Sequence, residues 1–246
     1  MCADSLRVIT VTETVVTAAD YISHAGLSFS REVVLAYGVG LTPRELGASR
    51  LEAMLLDMNS DAVLSLYRQA GALLEGHFRL TSGLHSPAYL QSALVLQHPI
   101  HAEVLGRALA DRLRVAAPTV VLSPALGGVI IGHEVARALG VRAIFAERVD
   151  GKLALRRGFS LSSADRVAVI EDIVTTGGST RETVVVATDA GATVIGAGSI
   201  IDRSGGSSDV GVPFHALAAL KVLTYDPASC PLCQAGTPAV KPGSRA

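Results

Sequence analysis

An α/β fold, a parallel sheet flanked by helices, is predicted for this chain by three observations. Strand-like apolar runs alternate with helical ones from residue 119 onward, the pattern of a sheet covered on both faces. One of those runs, Val167-Ala-Val-Ile, ends in Glu171-Asp172 and is followed by Ile-Val-Thr175-Thr176-Gly177-Gly178-Ser179-Thr180. A buried parallel strand is apolar until its carboxylates emerge at the sheet's C-terminal edge, so this run reads as strand, loop and helix start. With 246 residues, 49% of them hydrophobic, the chain can also bury a full core.

The elements follow in order. Residues 1–57 carry four Lys/Arg against seven Asp/Glu, net −3, whereas 58–246 carry seventeen against fifteen, net +2. The helical periodicity of 18–50 is weak and broken by Gly26, Gly38, Gly40 and Pro43, so 1–57 is expected to be an extension and 58–246 the working domain. Ser60 or Asp61 offers an N-cap for an amphipathic helix whose apolar residues, Val63, Leu64, Tyr67, Ala70, Leu73 and Leu74, recur until Gly76. Pro99 suits the first position of a second helix carrying Val104, Leu105, Ala108, Leu109 and Leu113. Strands are then expected at 119–122, 143–146, 166–171, 193–201 and 214–221, with helices at 129–139 and 179–190.

The chemistry gathers where ligands bind in such folds, outside the carboxyl ends of the strands. Glycines at 177 and 178 let the backbone turn closely around an anion, and the hydroxyls of Thr175, Thr176 and Ser179 stand beside the free N–H groups of a helix start. A phosphate cradle below an acidic pair suits a ribose 5-phosphate whose sugar hydroxyls lie over Glu171 and Asp172. Neither a Walker loop nor a Gly-x-Gly-x-x-Gly fingerprint is present. Pro124-Ala-Leu-Gly127-Gly128 is a second glycine-bearing turn between strand and helix, fit either for tight packing or for a diphosphate. Between Glu147 and Gly158 four basic residues, Arg148, Lys152, Arg156 and Arg157, fall within ten positions. They describe either a solvated hairpin tip or a basic lid that stabilises charge on departing pyrophosphate. Arg203 stands at a strand end, where it can fork onto a carboxylate.

These segments, with Gly76-His-Phe-Arg-Leu-Thr-Ser-Gly83-Leu-His-Ser-Pro87-Ala-Tyr-Leu-Gln91 and the ending Cys230-Pro-Leu-Cys233 to Lys241-Pro-Gly-Ser-Arg245, resemble the type I phosphoribosyltransferases and, within them, the orotate phosphoribosyltransferases over roughly residues 58–246. The resemblance implies a type I phosphoribosyltransferase-like fold with a small N-terminal hood and a mobile basic loop. It implies transfer of a 5-phosphoribosyl group from phosphoribosyl pyrophosphate (PRPP) to orotate, giving orotidine 5′-monophosphate in pyrimidine synthesis, with Mg²⁺ as cofactor and a cytoplasmic homodimer as the working form. By the same resemblance Lys152, Glu171 and Asp172 are catalytic, and PRPP is bound by Arg148, Lys152, Glu171, Asp172, Ile173, Val174, Thr175, Thr176, Gly177, Gly178 and Ser179. Orotate is met by Thr175 and Arg203, with Tyr89 and Leu90 near the base. The chain departs from many relatives at Gly127, Thr81 and Val149, where they carry lysine, so Arg156 or Arg157 is expected to compensate for the last.

Other classes are disfavoured. A formal charge of −1 leaves no nucleic-acid footprint, and no apolar run approaches the roughly 20 residues that span a bilayer. Cys230-x-x-Cys233 has the spacing of half a zinc site, but no second pair follows and the seven histidines show no ligand spacing, so reduced thiols and no protein-bound metal are expected. Two rivals remain: a transferase for another base, against which Arg203 and the 81–91 segment argue, and a non-catalytic PRPP-sensing regulator, which would have no need of the basic lid.

Overall fold

In the computed structural model the described residues are 58–80 and 82–241. The N-terminal extension, Thr81 and Arg245 lie outside them. The first helix, α1 (Ser60–Gln69), is capped by Asn59, whose side chain accepts from the Ala62 N–H at 2.9 Å, rather than by Ser60 or Asp61. It also stops earlier than the periodicity predicts. Ala72 N–H bonds back to the Tyr67 carbonyl and Gly71 takes a φ of +64°, a C-terminal capping geometry. Leu73 and Leu74 therefore begin a strand, β1 (Leu73–Arg79), which pairs antiparallel with β2 (His85–Leu90). This small two-stranded sheet and α1 precede the main sheet in the place expected for a hood. A short helix, α2 (Ser92–Leu96), unforeseen because five residues carry no periodicity, leads to α3 (Pro99–Leu113), which has Pro99 in its first turn as expected.

The main body is a six-stranded sheet. Its strands are β3 (Val120–Pro124), β4 (Arg142–Val149), β5 (Lys152–Leu155), β6 (Arg166–Val174), β7 (Thr193–Asp202) and β8 (Phe214–Ala219), in the order β5-β4-β3-β6-β7-β8. Helices α4 (Gly128–Leu139) and α5 (Gly178–Asp189) follow β3 and β6. All neighbouring pairs are parallel except β4 and β5, so the expected parallel sheet is mixed only at one edge. The cause is local: Asp150 and Gly151 take φ values of +50° and +83°, the two-residue turn that folds a strand straight back on itself.

Strand alternation divides the core in two. Val121, Ala168, Ile170 and Ile200 join α1, α3 and α4 on one face. Val120, Leu122, Val167 and Val169 join Ala187 of α5 on the other. Because α4 and α5 cover opposite faces, the chain leaves β3 and β6 in opposite senses although these strands are neighbours. A crevice opens between their carboxyl ends, the switch point at which sheets of this kind take their ligands.

Helices α3 and α4 pack closely where α3 has glycine: a Cβ on Gly106 would stand 2.5 Å from Glu134 Cβ and 2.9 Å from its backbone carbon. Gly106→Ala gains about 1 kcal/mol of helix propensity, but the overpacking costs about 1–3 kcal/mol. A net loss of stability in urea denaturation is expected, and a stabilised variant would show that the helices separate freely.

Candidate active site

The acidic pair sits at the end of β6, and its burial governs its chemistry. Glu171 is buried, and its Oε2 accepts from Ser179 Oγ at 2.7 Å and Thr180 Oγ1 at 3.3 Å. Desolvation pushes its pKa up to about 7, against the lowering effect of the Ser179 and Thr180 bonds. Asp172 is raised as well, again mainly by desolvation, with the Ser92 hydroxyl acting in the opposite direction. Ser92 in turn shares a 2.8 Å hydrogen bond with the buried phenol of Tyr67, so a polar chain runs from α1 to the acid through the first core face. The shift of Glu171 belongs to a carboxyl held without a cationic neighbour strong enough to offset burial.

The loop after the pair is shaped by Gly177. Its φ of +74° is left-handed, and a Cβ there would lie 3.0 Å from each of Arg181 Nη1, Asp209 O and Val210 Cγ1, so conformation and space both require glycine. Gly177 is also the N-cap of α5, and having no side chain it leaves the first N–H groups of a twelve-residue helix to an incoming anion. The expected cradle residues divide here. Thr175 to Ser179 form the turn and the helix start, whereas Val174 is buried in the second core face and Ile173 packs on the first, so these two offer backbone only. The Val174 carbonyl is already bonded to Arg203 N–H at 2.8 Å.

Across the crevice, the turn after β3 approaches the acids closely. A Cβ on Gly127 would stand 2.5 Å from Asp172 Oδ1, so any side chain at 127, lysine included, would displace the acid. The Ala125–Leu126 peptide in this turn is cis.

Arg203 follows β7 and is half-buried, with an Nε that is buried and has no hydrogen-bond partner among the described residues. Burial lowers its pKa, with Tyr89 acting in the opposite direction. A guanidinium nitrogen hidden from water and unpartnered is an unsatisfied donor, costly unless a ligand accepts from it. Asp202 beside it is used differently: its carboxylate accepts from Ser204 N–H, Gly206 N–H and Ser208 Oγ at 2.8–2.9 Å and so shapes the following loop.

The basic run forms the β4–β5 hairpin and the turn beyond it. Arg148 pairs with Glu182 of α5 at 3.1 Å and donates to the Gly151 carbonyl at 2.7 Å. Arg157 is bound by Glu147 through two bonds of 2.7 and 2.8 Å and lies over the Phe145 ring, so of the two arginines expected to compensate for Val149 it is already engaged. Lys152 is exposed at the turn and has no ion pair among the described residues.

One group escaped sequence reasoning. His77, His85, Cys230 and Cys233 present ligand atoms that all lie within 4.8 Å of one another, so the two cysteines, free thiols as expected, stand beside two histidines. The histidines are eight apart and come together because β1 folds back onto β2. Recognising that turn as a hairpin was the signal that would have found them.

No family model matches the chain. It is 53% identical over 188 residues to an orotate phosphoribosyltransferase of Pelotomaculum thermopropionicum, covering 76% of this chain and 99% of that one. It is 55% identical over 190 residues to one of Heliobacterium modesticaldum, covering 76% and 100%. Among solved structures it is similar in fold to the orotate phosphoribosyltransferase of Aeropyrum pernix, with a TM-score of 0.54 at 24% identity over 64% of this chain and 93% of that one. A phosphoribosyltransferase of Corynebacterium diphtheriae gives 0.55 at 22% identity over 68% and 96%.

The raised pKa of Glu171 has a direct consequence for stability. The folded chain holds this proton to higher pH than the unfolded chain, so its contribution falls as pH rises from about 4.5 through about 7 and is level above. Glu171→Gln, which removes the titration, should flatten the fall in melting temperature between about pH 5 and pH 8. Equal slopes in the two proteins would mean that Glu171 ionises as if exposed.

Proposed function

The chain belongs to the orotate phosphoribosyltransferase family, and on that premise we propose how its residues transfer the 5-phosphoribosyl group of PRPP to orotate. The observation that carries the reading is the desolvated pair Glu171–Asp172 tied to the Gly177 helix start. The 5′-phosphate is taken by the N–H groups and hydroxyls of Thr175 to Ser179, where the N-terminal end of α5 favours negative charge. This places the ribose hydroxyls over the two carboxylates. N1 of orotate then attacks C1′ as the C1′–oxygen bond breaks, and the bonding electrons leave with pyrophosphate. Positive charge that builds at C1′ is what two poorly solvated carboxylates stabilise best, because the same field is weak in water and strong where water is excluded. Glu171, ready to hold a proton near neutral pH in the free chain, is favoured in its ionised form by that charge.

Orotate brings a carboxylate and ring carbonyls, and the unpartnered Nε of Arg203 is the donor suited to them, with Tyr89 at its side. Thr175, at the start of the cradle loop, is assigned to orotate as well. A purine has no carboxylate to satisfy Arg203, which favours orotate over other bases. Arg148 and Lys152 are assigned to the diphosphate, and Lys152, exposed and without an acidic partner among the described residues, is the group free to reach it, within this subunit or across a homodimer. The acid pair and loop hydroxyls supply only oxygen donors, the kind that Mg²⁺ accepts. When bound, Mg²⁺ neutralises diphosphate charge. No described helix is long and apolar enough to cross a membrane, and the cytoplasm is the proposed compartment. Residues 58–246 are proposed to form the phosphoribosyltransferase domain.

Three outcomes are expected. Mixing the protein with PRPP, Mg²⁺ and orotate should consume orotate absorbance, and Asp172→Asn should slow this at least about tenfold, a loss of 1.4 kcal/mol or more in the transition state. Unchanged kinetics would remove the acids from the reaction. Lys152→Ala should lower kcat more than it weakens PRPP binding, because the lost contact belongs to the departing charge. If the lysine crosses to a second subunit, mixing this variant with Asp172→Asn should restore activity; no recovery after verified subunit exchange would confine the lid to its own chain. Finally, a protein starting at Met58 should fold and turn over, and an inactive or insoluble product would assign residues 1–57 to the core or the site.

A further inference from the structure

The histidine–cysteine group joins two parts of the chain. His77 and His85 lie on the β1–β2 hairpin, Cys230 is the N-cap of the short helix α6 (Pro231–Gln234), and Cys233 lies within that helix. Cys230 Sγ is 3.5 Å from His77 Nε2, Cys233 Sγ is 3.8 Å from His77 Nε2 and 3.3 Å from His85 Nδ1, and the two ring nitrogens are 2.8 Å apart. In a tetrahedral zinc site with bonds of about 2.3 Å to sulfur and 2.0–2.1 Å to nitrogen, sulfur–nitrogen edges are about 3.5 Å and nitrogen–nitrogen edges about 3.3 Å. The three sulfur–nitrogen distances of 3.3–3.8 Å bracket that value, and all four ligand atoms lie within 4.8 Å of one another. The ring pair must part by about half an ångström on that geometry.

The surroundings are also those of a ligand set. His77 Nδ1 lies 2.7 Å from the Thr237 carbonyl, which accepts only from an N–H. This fixes the tautomer, so Nε2 turns its lone pair toward the thiols, the arrangement by which backbone carbonyls orient metal-binding histidines. His77, His85 and Cys230 are buried while Cys233 is exposed, giving a shielded site with one open side for entry. Two sulfurs and two imidazole nitrogens in a tetrahedral arrangement select zinc rather than the oxygen-seeking magnesium of the reaction.

We propose that His77 Nε2, His85 Nδ1, Cys230 Sγ and Cys233 Sγ bind one structural Zn²⁺ that clips the C-terminal segment to the hairpin. Binding releases both thiol protons, and the His85 proton moves from Nδ1 to Nε2 so that Nδ1 can ligate; no electron is exchanged. The clip reinforces existing backbone joins, Arg79 and His77 with Val240 and His85 with Tyr225, at 2.8–2.9 Å. It thereby holds β2, whose Tyr89 stands beside Arg203, from the side opposite its β1 partner. Four protein ligands leave no open position, so the ion supplies folding free energy rather than chemistry.

The test uses the full chain, produced with zinc present and purified without chelator or added thiol. Metal analysis should find one zinc per chain, and removing it should lower the melting temperature. Titration of the stripped, reduced protein with Co²⁺ should give the visible bands of a tetrahedral site together with thiolate-to-metal charge transfer, saturating at one equivalent and displaced by Zn²⁺ but not by Mg²⁺. Cys233→Ser and His85→Gln should each weaken Co²⁺ binding at least about tenfold, the usual order for losing a ligand or its support. A zinc-free protein whose reduced form gives no such spectrum would overturn the proposal, as would a Cys230–Cys233 disulfide that forms with zinc present. The wild-type readings stand whether or not a variant folds, and none depends on orotate turnover.

Discussion

Two adjacent carboxylates at the end of a buried strand are held against a desolvation penalty, and most of the crevice follows from how that penalty is managed. The hydrophobic run before Glu171 drives β6 into the middle of the sheet, with β3 on one side and β7 on the other. The acids arrive at the edge with little water around them. Ser179 and Thr180 offset part of the cost for Glu171 and, in doing so, fasten the acid to the first turn of α5. The carboxylate site and the anion site therefore cannot move independently. A sugar phosphate that spans both meets a fixed distance between its phosphate and its reacting carbon, which is the positioning such a displacement needs.

The topology makes room for this pair. Parallel neighbours β3 and β6 send their helices to opposite faces, and the turn after β3 closes onto Asp172 only because Gly127 has no side chain. A side chain at 127 and this placement of Asp172 exclude each other. In the proposed reading the diphosphate is left to backbone N–H groups on that side and to Arg148 and Lys152 on the other. Arg203 adds the remaining constraint, a buried donor that no described residue satisfies.

Much of this was legible in the residues. Apolar runs ending in charge located the central strands, Pro99 located the start of α3, and the Glu171–Ser179 run located the end of β6 and the start of α5. What the pattern hid were features set by pairing rather than by periodicity. Leu73 and Leu74 continue the helical spacing of α1, yet the turn at Gly71 diverts them into β1. The 152–155 run, which the charges left open between a hairpin tip and a lid, becomes an antiparallel edge strand through the Asp150-Gly151 turn. His77 and His85 have no ligand spacing along the chain, because a hairpin brings them together at separations that only strand register defines, and the cysteines that complete the group come from 150 residues away. Arg157, one of four similar charges by sequence, is set apart by a pair with Glu147 that no spacing rule singles out.

The central claim is that Glu171 is kept poorly solvated in the free protein, so that its ionisation is coupled to the arrival of positive charge. It is tested most directly by following the side-chain carboxyl of Glu171 by ¹³C NMR through a pH titration, with Glu171→Gln identifying the signal. The account predicts a midpoint near 7 in the free protein and a lower one once PRPP and Mg²⁺ are bound. A midpoint in the ordinary glutamate range, about 4.3, unmoved by the substrate, would contradict it.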